Sequence, residues 1–413
     1  MRFSIIIPTF NRADLIGQSI DSALAQTHAP AEVIVVDDGS SDDTRGAVEK
    51  YGERVRYVRQ ENGGKASALN NGVANSTGEV LVVLDDDDIF PKTTLAEHAQ
   101  ALAADPAAAF SFGRYARFEG DKPPTADTPL IYETYPTRDP RRLVVKLMEH
   151  CFLSNPAWAV RRQAQLEVGP YNTDLHRSQD FEMMLRMSRA HRGVFLDSTI
   201  FLQRTHSGWR GPMSDRTFGV HTTDKWVKYN RMIFEGIDQT WSLQDFAPFE
   251  TDAGETQDEA LLYLQKGVIM FLRKHYPGAE AALKEYRRLL GARRPTQTEL
   301  RIASGLMGGD YGVAELLEPG AQRDAAIATL RGVAWPLRLR MAFAQQLRWR
   351  LRSALSEQEH DKVRALMRFS AEAFGGATAL TAMCAKVDGK VGLWRGDTPA
   401  TGLPAPDALA AAG

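Results

Sequence analysis

The chain of 413 residues is long enough for two domains with substantial cores, and too long for one typical domain. Its apolar and charged fractions are those of an ordinary soluble globular protein, and a formal charge of −2 gives no overall electrostatic case for nucleic acid. Only Cys151 and Cys384 are cysteines. They form neither a disulfide framework nor a metal-ligand spacing, which fits a reducing cytoplasm.

Met1-Arg2-Phe3 runs straight into SIIIP, leaving no room for a signal peptide. No apolar run approaches the ~20 residues that span a bilayer. The longest, Leu261 to Leu272, is interrupted by Gln265 and Lys266. The expectation is a cytoplasmic protein, soluble or peripheral at the inner face of the membrane.

SIII, Ser4 to Ile7, reads as a short buried strand ended by Pro8. Arg12 to Gln26 puts Leu15, Ile16, Ile20, Ala23 and Leu24 on one helical face. EVIVVDD, Glu32 to Asp38, is a second strand ending on acid, and SSDDTRGAVEKY a helix with Ser40 or Ser41 as its cap. RVRYVRQ is a more polar third strand, KASALNNGVANS a helix, EVLVVLD a fourth strand, and PKTTLAEHAQALAAD a further helix. Such alternation predicts a parallel sheet covered on both faces. Ligands of such sheets bind beyond the carboxyl ends of the strands. Pro8-Thr9-Phe10, Asp37-Asp38 and Asp85 to Asp88 all fall at that edge.

Beyond Phe110 the pattern is mixed. AAFSFGRYARF alternates as a strand, DPRRLVVKLMEH and SQDFEMMLRMSRAHR read as helices, and GVFLDSTIFLQR as a closing hairpin or strand pair. After about Gly211 the chain reads helical, and the Pro-rich tail reads as disordered.

IIIPTFNR, VIVVDDGSSDDT, ENGGKASALNNGV and TGEVLVVLDDDD, in this order and spacing, resemble the family 2 inverting glycosyltransferases. The segment AVRRQAQLEVGPYNTDLHRSQDFEMMLRM resembles the second half of that family. The resemblance covers roughly Met1 to His206. It implies an α/β fold of GT-A type, a nucleotide-binding sheet flanked by helices, here followed by a mostly α-helical C-terminal domain. The expected domains are 1–215 for the transferase (1–110 for the nucleotide-sugar, 111–215 for the acceptor side and base), 216–395 for the helical domain, and 396–413 for the tail. Three departures stand out: Gln179-Asp180 where Glu-Asp is usual, one residue fewer between Asp88 and Pro91, and Leu69-Asn70 where Arg-Asn is frequent.

The resemblance implies a UDP-sugar, or another nucleotide-sugar, as donor. Its donor-binding set is Pro8, Thr9, Phe10, Arg12, Asp38, Lys65, Asp85 and Asp86, with Asp38 accepting from the N3–H of a uracil. Asp85-x-Asp87 matches the family's Asp-x-Asp motif, which holds Mn²⁺ or Mg²⁺ on the donor diphosphate; such hard cations take oxygen ligands. Asp87 is the direct ligand, Asp85 and His206 are the further candidates, and Asp88 exchanges roles with Asp87 if the register shifts by one. Asp180 takes the role of general base for the acceptor hydroxyl, with Glu182 as runner-up. Arg204 and Arg210 are candidates to approach the diphosphate. Each feature has a plainer counterpart: a turn and cap for Asp37 to Ser40, a solvated acidic turn for Asp85 to Asp88, and a capped helix start for Ser178 to Asp180.

The expected acceptor is a glycan or a lipid-linked or protein-linked hydroxyl, as in building a bacterial surface polysaccharide, with no nucleic-acid partner. Trp335 to Arg352 carries five arginines and no acid. It reads either as a core helix with snorkelling arginines or as a peripheral membrane contact. Two other classes compete with the transferase. One is a non-catalytic nucleotide-sugar scaffold. The other is a Mg²⁺-dependent phosphatase of the haloacid dehalogenase type, whose Asp-x-Asp would follow the first strand rather than the fourth.

Overall fold

The computed structural model describes residues 1–376, apart from 134, 138, 141–142, 206–208, 211–216, 219–222, 248–257 and 309–313. Four strands, β1 (Phe3–Thr9), β2 (Glu32–Asp37), β3 (Arg56–Arg59) and β4 (Val80–Val83), run parallel in the order β3-β2-β1-β4. β1 is buried along its whole length, as a continuous apolar run covered on both faces must be. Each of Phe3, Ile5, Ile6 and Ile7, all fully buried, contributes about 1.5–3 kcal/mol by leaving water. The connecting helices are α1 (Ile16–Leu24), α2 (Thr44–Glu49) and α3 (Lys65–Asn75). α3 lies close on the sheet because Gly72 has no Cβ; one built there would sit 2.4 Å from Ile6 Cγ2. Ser40 and Ser41 do not cap α2, whose N-cap is Asp43 without a side-chain bond.

The strand order reverses between β1 and β4, and the acidic loop opens there, as the alternation predicts. Beyond β4 the sheet departs from the all-parallel expectation. After α4 (Thr94–Ala104) come β5 (Phe110–Glu119), β6 (Ile131–Tyr132), β7 (Trp158–Arg161) and β8 (Gly193–Thr205). β7 pairs antiparallel with both β4 and β5, and β8 runs parallel along β5. The expected hairpin at Gly193 to Arg204 is therefore one strand of 13 residues. Its polar Asp197-Ser198 looks like a turn in sequence; the pairing passes over these two residues between Leu196 and Thr199, at an irregularity. The helices here are α5 (Leu143–Glu149), α6 (Arg162–Val168) and α7 (Gln179–Ala190).

These elements form the first of two compact units, Met1–Leu147 with Cys151–Thr222. The second comprises Met148–His150 and the described residues from Thr223 onward. Its helices are α8 (Thr223–Thr240), α9 (Glu259–Leu272), α10 (Tyr276–Leu290), α11 (Gln297–Ser304), α12 (Ala314–Leu317), α13 (Ala321–Arg331), α14 (Leu337–Phe343), α15 (Gln345–Ser356) and α16 (His360–Phe374). Leu264, Val268, Leu283 and Tyr286 of α9 and α10 are buried in its core. Asp238 of α8 holds Lys266 of α9 at 2.6 Å and His275, just before α10, at 2.9 Å. Trp335 to Arg352 forms two helices broken at Ala344, with Leu339, Phe343 and Leu347 fully buried. No helix among the described residues is long and apolar enough to cross a membrane. The expected tail, 396–413, lies outside the described residues.

Candidate donor and catalytic site

The four aspartates after β4 separate into distinct environments. Asp85 pairs with Lys65 Nζ at 2.7 Å. Asp86 faces Arg12 Nε at 3.8 Å and accepts from Phe10 N–H at 3.4 Å. Burial, the neighbouring Asp87 charge and, against them, Arg12 leave the Asp86 carboxyl pushed up to about 7. Asp87 is half-buried, and its carbonyl accepts from Arg204 Nε at 2.9 Å. Asp88 is 2 % exposed and receives the Arg204 backbone N–H at 2.9 Å. Burial, then Asp87 and Asp85, raise its proton affinity strongly. Asp88 is thus a structural acid joining this loop to β8, and the exchange of roles with Asp87 does not fit its position.

Arg204, expected to approach a diphosphate, is committed elsewhere. Its guanidinium donates to the carbonyls of Asp87, Gly120 and Lys122 and to Gln18 Oε1 at 2.7 Å, and it lies over the Phe118 ring at 4.7 Å. At 2 % exposure it is a clamp on the underside of the acidic loop. His206 lies outside the described residues, as does the side chain of Arg210.

Pro8 and Thr9 end β1 as buried residues, and the Thr9 carbonyl accepts from Asp38 N–H at 2.9 Å. Asp38 itself differs from its expected role. Oδ1 accepts from Gly63 N–H and Gln60 Nε2, both at 2.8 Å. Oδ2 accepts from Gly64 N–H at 2.8 Å and Asn62 Nδ2 at 3.1 Å. Two donors on each oxygen fill the carboxylate, and Asp38 is 4 % exposed. In this conformation it holds the Gln60–Gly64 loop instead of offering a lone pair to a base. Asp37 is equally occupied, by Ser40 N–H at 2.7 Å, Arg59 at 3.0 Å and the Tyr57 hydroxyl.

That loop delivers Lys65. Gly64 takes φ +85°, a left-handed value suited to glycine, and ends the loop as the N-cap of α3. Lys65 is the first residue of the helix. Partial removal from water pulls its proton affinity down, but the charges of Asp85, Asp180 and Asp87 more than reverse this. Lys65 thus pairs with Asp85 and is further held in its charged form by the nearby charges of Asp180 and Asp87.

Asp180 sits in the first turn of α7, half-buried, with Oδ1 accepting from Phe181 N–H at 2.9 Å. Burial raises its proton affinity while Lys65 opposes the rise. Ser178 does not cap the helix; it adopts φ +60° and makes no side-chain cap bond. The runner-up, Glu182, is spent on Arg186 at 2.5 and 2.8 Å. Sequence reasoning missed how the segment before α7 is located. Asn70 of α3 donates to the Tyr171 carbonyl at 2.9 Å and accepts from Tyr171 N–H at 2.8 Å. The signal was present in Leu69-Asn70, where the asparagine of the usual Arg-Asn is kept.

A divalent cation has a suitable donor set here. Asp85 and Asp87 supply hard oxygens, and Asp86 and Asp88, whose proton affinities are raised first by burial and then by the neighbouring carboxylates, add further negative charge beside them. Among the described residues no three His, Cys, Asp or Glu side chains converge into a full cage.

Residues 4–168 match Glycosyl transferase family 2. The N-terminal unit therefore carries a glycosyltransferase domain of that family. Among relatives, an uncharacterized glycosyltransferase of Rickettsia felis is 32 % identical over 49 % of this chain and 34 % of its own length. The GalNAc(5)-diNAcBac-PP-undecaprenol beta-1,3-glucosyltransferase of Campylobacter jejuni is 40 % identical over 21 % of this chain and 30 % of its own. The chain thus spans about a third of the length of these curated relatives. Among solved structures, S. aureus TarS 1–349 in complex with UDP-GlcNAc shares the fold, with a TM-score of 0.50 at 17 % identity over 84 % of this chain and 91 % of that one.

Proposed function

We propose that the chain is an inverting glycosyltransferase that moves a sugar from a UDP-sugar to a hydroxyl of a glycan, lipid-linked or protein-linked acceptor. The observation that carries this reading is Lys65, whose ammonium pairs with Asp85 and is acted on by the charges of Asp87 and Asp180. The family match supports transfer from an activated sugar. The bound UDP-GlcNAc of TarS and the diphosphate-undecaprenol substrate named for the Campylobacter enzyme support the donor and acceptor classes.

Asp180 is the base in this scheme. Its Oδ1 is occupied by Phe181 N–H, so Oδ2 takes the proton of the acceptor hydroxyl. The acceptor oxygen forms its bond to C1 as the bond from C1 to the phosphate oxygen breaks, and the nucleoside diphosphate leaves with the bonding pair. Attack opposite the leaving group inverts C1. Lys65 balances charge on the diphosphate side, and Arg12 and the Phe10 N–H hold Asp86. Mn²⁺ or Mg²⁺ on Asp87 and Asp85, with His206 as a further candidate ligand, would supply Lewis-acid stabilisation of the leaving diphosphate. Pro8, Thr9 and Phe10 wall the nucleotide. The stretch 335–352 buries Leu339, Phe343 and Leu347, which supports the core-helix reading, and its arginines leave a peripheral contact with an anionic membrane as the alternative.

Calorimetric titration of UDP with and without Mn²⁺ tests the donor side. Binding strengthened by the metal and lost in Asp87→Ala is expected. Equal binding without metal contradicts the metal assignment.

A further inference from the structure

We propose that the helical unit carries a binding pocket for a phosphate or diphosphate ester, built from Arg287, Arg294 and Arg338. The cavity measures about 420 Å³ and is lined by the end of α10, the turn between α10 and α11, and the start of α14. That volume lies within the range of small-ligand sites. Four arginines and no acid line it.

The charges there are unequally compensated. Arg293 is balanced by Glu299 at 2.6 Å and Asp258 at 3.3 Å. Arg287 donates to the neutral carbonyls of Ala334 and Gly291, both at 2.8 Å. Arg294 and Arg338 are exposed and have no carboxylate partner among the described residues. Three guanidinium charges held round one concavity repel each other and raise the local concentration of anions. Their sum matches the two to three negative charges of a phosphate or diphosphate ester, whose oxygens suit the guanidinium fork.

The walls are set in place before any ligand arrives. Arg287 ties the end of α10 to the segment preceding α14. Next to that tie, Trp335 stacks on Tyr286 with ring centroids 6.4 Å apart, meets Phe343 edge-on at 5.1 Å, and donates from Nε1 to the Leu330 carbonyl at 2.9 Å. This fixes Arg287 and the backbone of the walls, so that binding need order only the exposed Arg294 and Arg338. Leu337, 53 % exposed and part of the lining, offers an apolar surface to the organic part of the ester. The pocket lies wholly in the second unit, so it stands independently of the transfer reaction proposed above.

The test is a titration of the full chain with pyrophosphate, followed by the side-chain Nε–Hε NMR signals of Arg294 and Arg338, each assigned from its single alanine variant. Both signals should shift saturably, and sodium chloride at equal ionic strength should not reproduce the shift. In Arg294→Ala/Arg338→Ala the remaining Arg287 signal should report affinity weaker by about tenfold or more. The control Arg364→Ala/Arg368→Ala, on the exposed face of α16, should leave affinity unchanged. Both variants replace exposed side chains, and a matching melting temperature confirms that the fold is kept. Shifts that follow ionic strength alone, or an affinity indifferent to Arg294 and Arg338, overturn the proposal. Vesicles containing phosphatidic acid identify the source. Retention that pyrophosphate displaces and the double variant loses supports a lipid-borne phosphate. Saturable pyrophosphate binding without vesicle retention supports a soluble ester.

Discussion

Asn70 and Tyr171 hold each other through a reciprocal pair of hydrogen bonds, side-chain amide to backbone carbonyl at 2.9 Å and backbone N–H to side-chain oxygen at 2.8 Å. The pair fastens the helix that begins with Lys65 to the segment that leads into Asp180. Replacing Asn70 with Ala removes both bonds and should cost roughly 1–3 kcal/mol of stability, read as a lower denaturation midpoint. It should also lower turnover about tenfold, because catalytic groups lose their relative position. UDP affinity should change far less. Turnover equal to wild type would show that the clamp does not position the base.

Asp38 makes a second prediction. Each of its oxygens accepts from one backbone N–H, Gly63 or Gly64, so whichever oxygen becomes the amide nitrogen faces a backbone donor it cannot accept from. Asp38→Asn should therefore destabilise the protein by roughly 1–3 kcal/mol and weaken UDP binding, since the disturbed loop carries Lys65. A variant with normal stability and weakened UDP binding would instead favour direct contact between Asp38 and the base.

Lys65 connects to pH. A general base works deprotonated, so activity falls as pH drops through the base's own pKa. Burial raises that of Asp180 above the ordinary aspartate range and Lys65 opposes the rise. The acid limb of kcat/KM should thus lie above that range. Lys65→Met should move it to still higher pH, and Lys65→Arg should restore most of the original position. A limb that stays in place in Lys65→Met would separate Lys65 from the base.

The parallel half of the sheet was legible because its signals are local: continuous apolar strands, helical periodicity and acid at the strand ends. β7 was not, since WAVR is four residues long and gains its identity by pairing with β4 and β5. β8 was misjudged as two strands because Asp197-Ser198, at the irregularity in its pairing with β5, carries the polarity of a turn. The motifs pointed to the acidic loop, but only the fold distinguishes its members. Asp88 turns inward to Arg204, and Asp85 meets Lys65. Arg204 shows the same limit. Its sequence position suggests a ligand contact, whereas its four acceptors lie far away along the chain and inside the fold.

The central claim is that Asp180 takes the proton of the acceptor hydroxyl. Asp180→Asn keeps the side chain's size and its bond from Phe181 while removing its basicity. Kinetics of sugar transfer, with UDP affinity measured on the same sample, test it most directly. The account predicts UDP affinity within about twofold of wild type and transfer reduced by about 10²–10⁴-fold, the usual contribution of a general base. An Asp180→Asn enzyme that transfers sugar at the wild-type rate would contradict it.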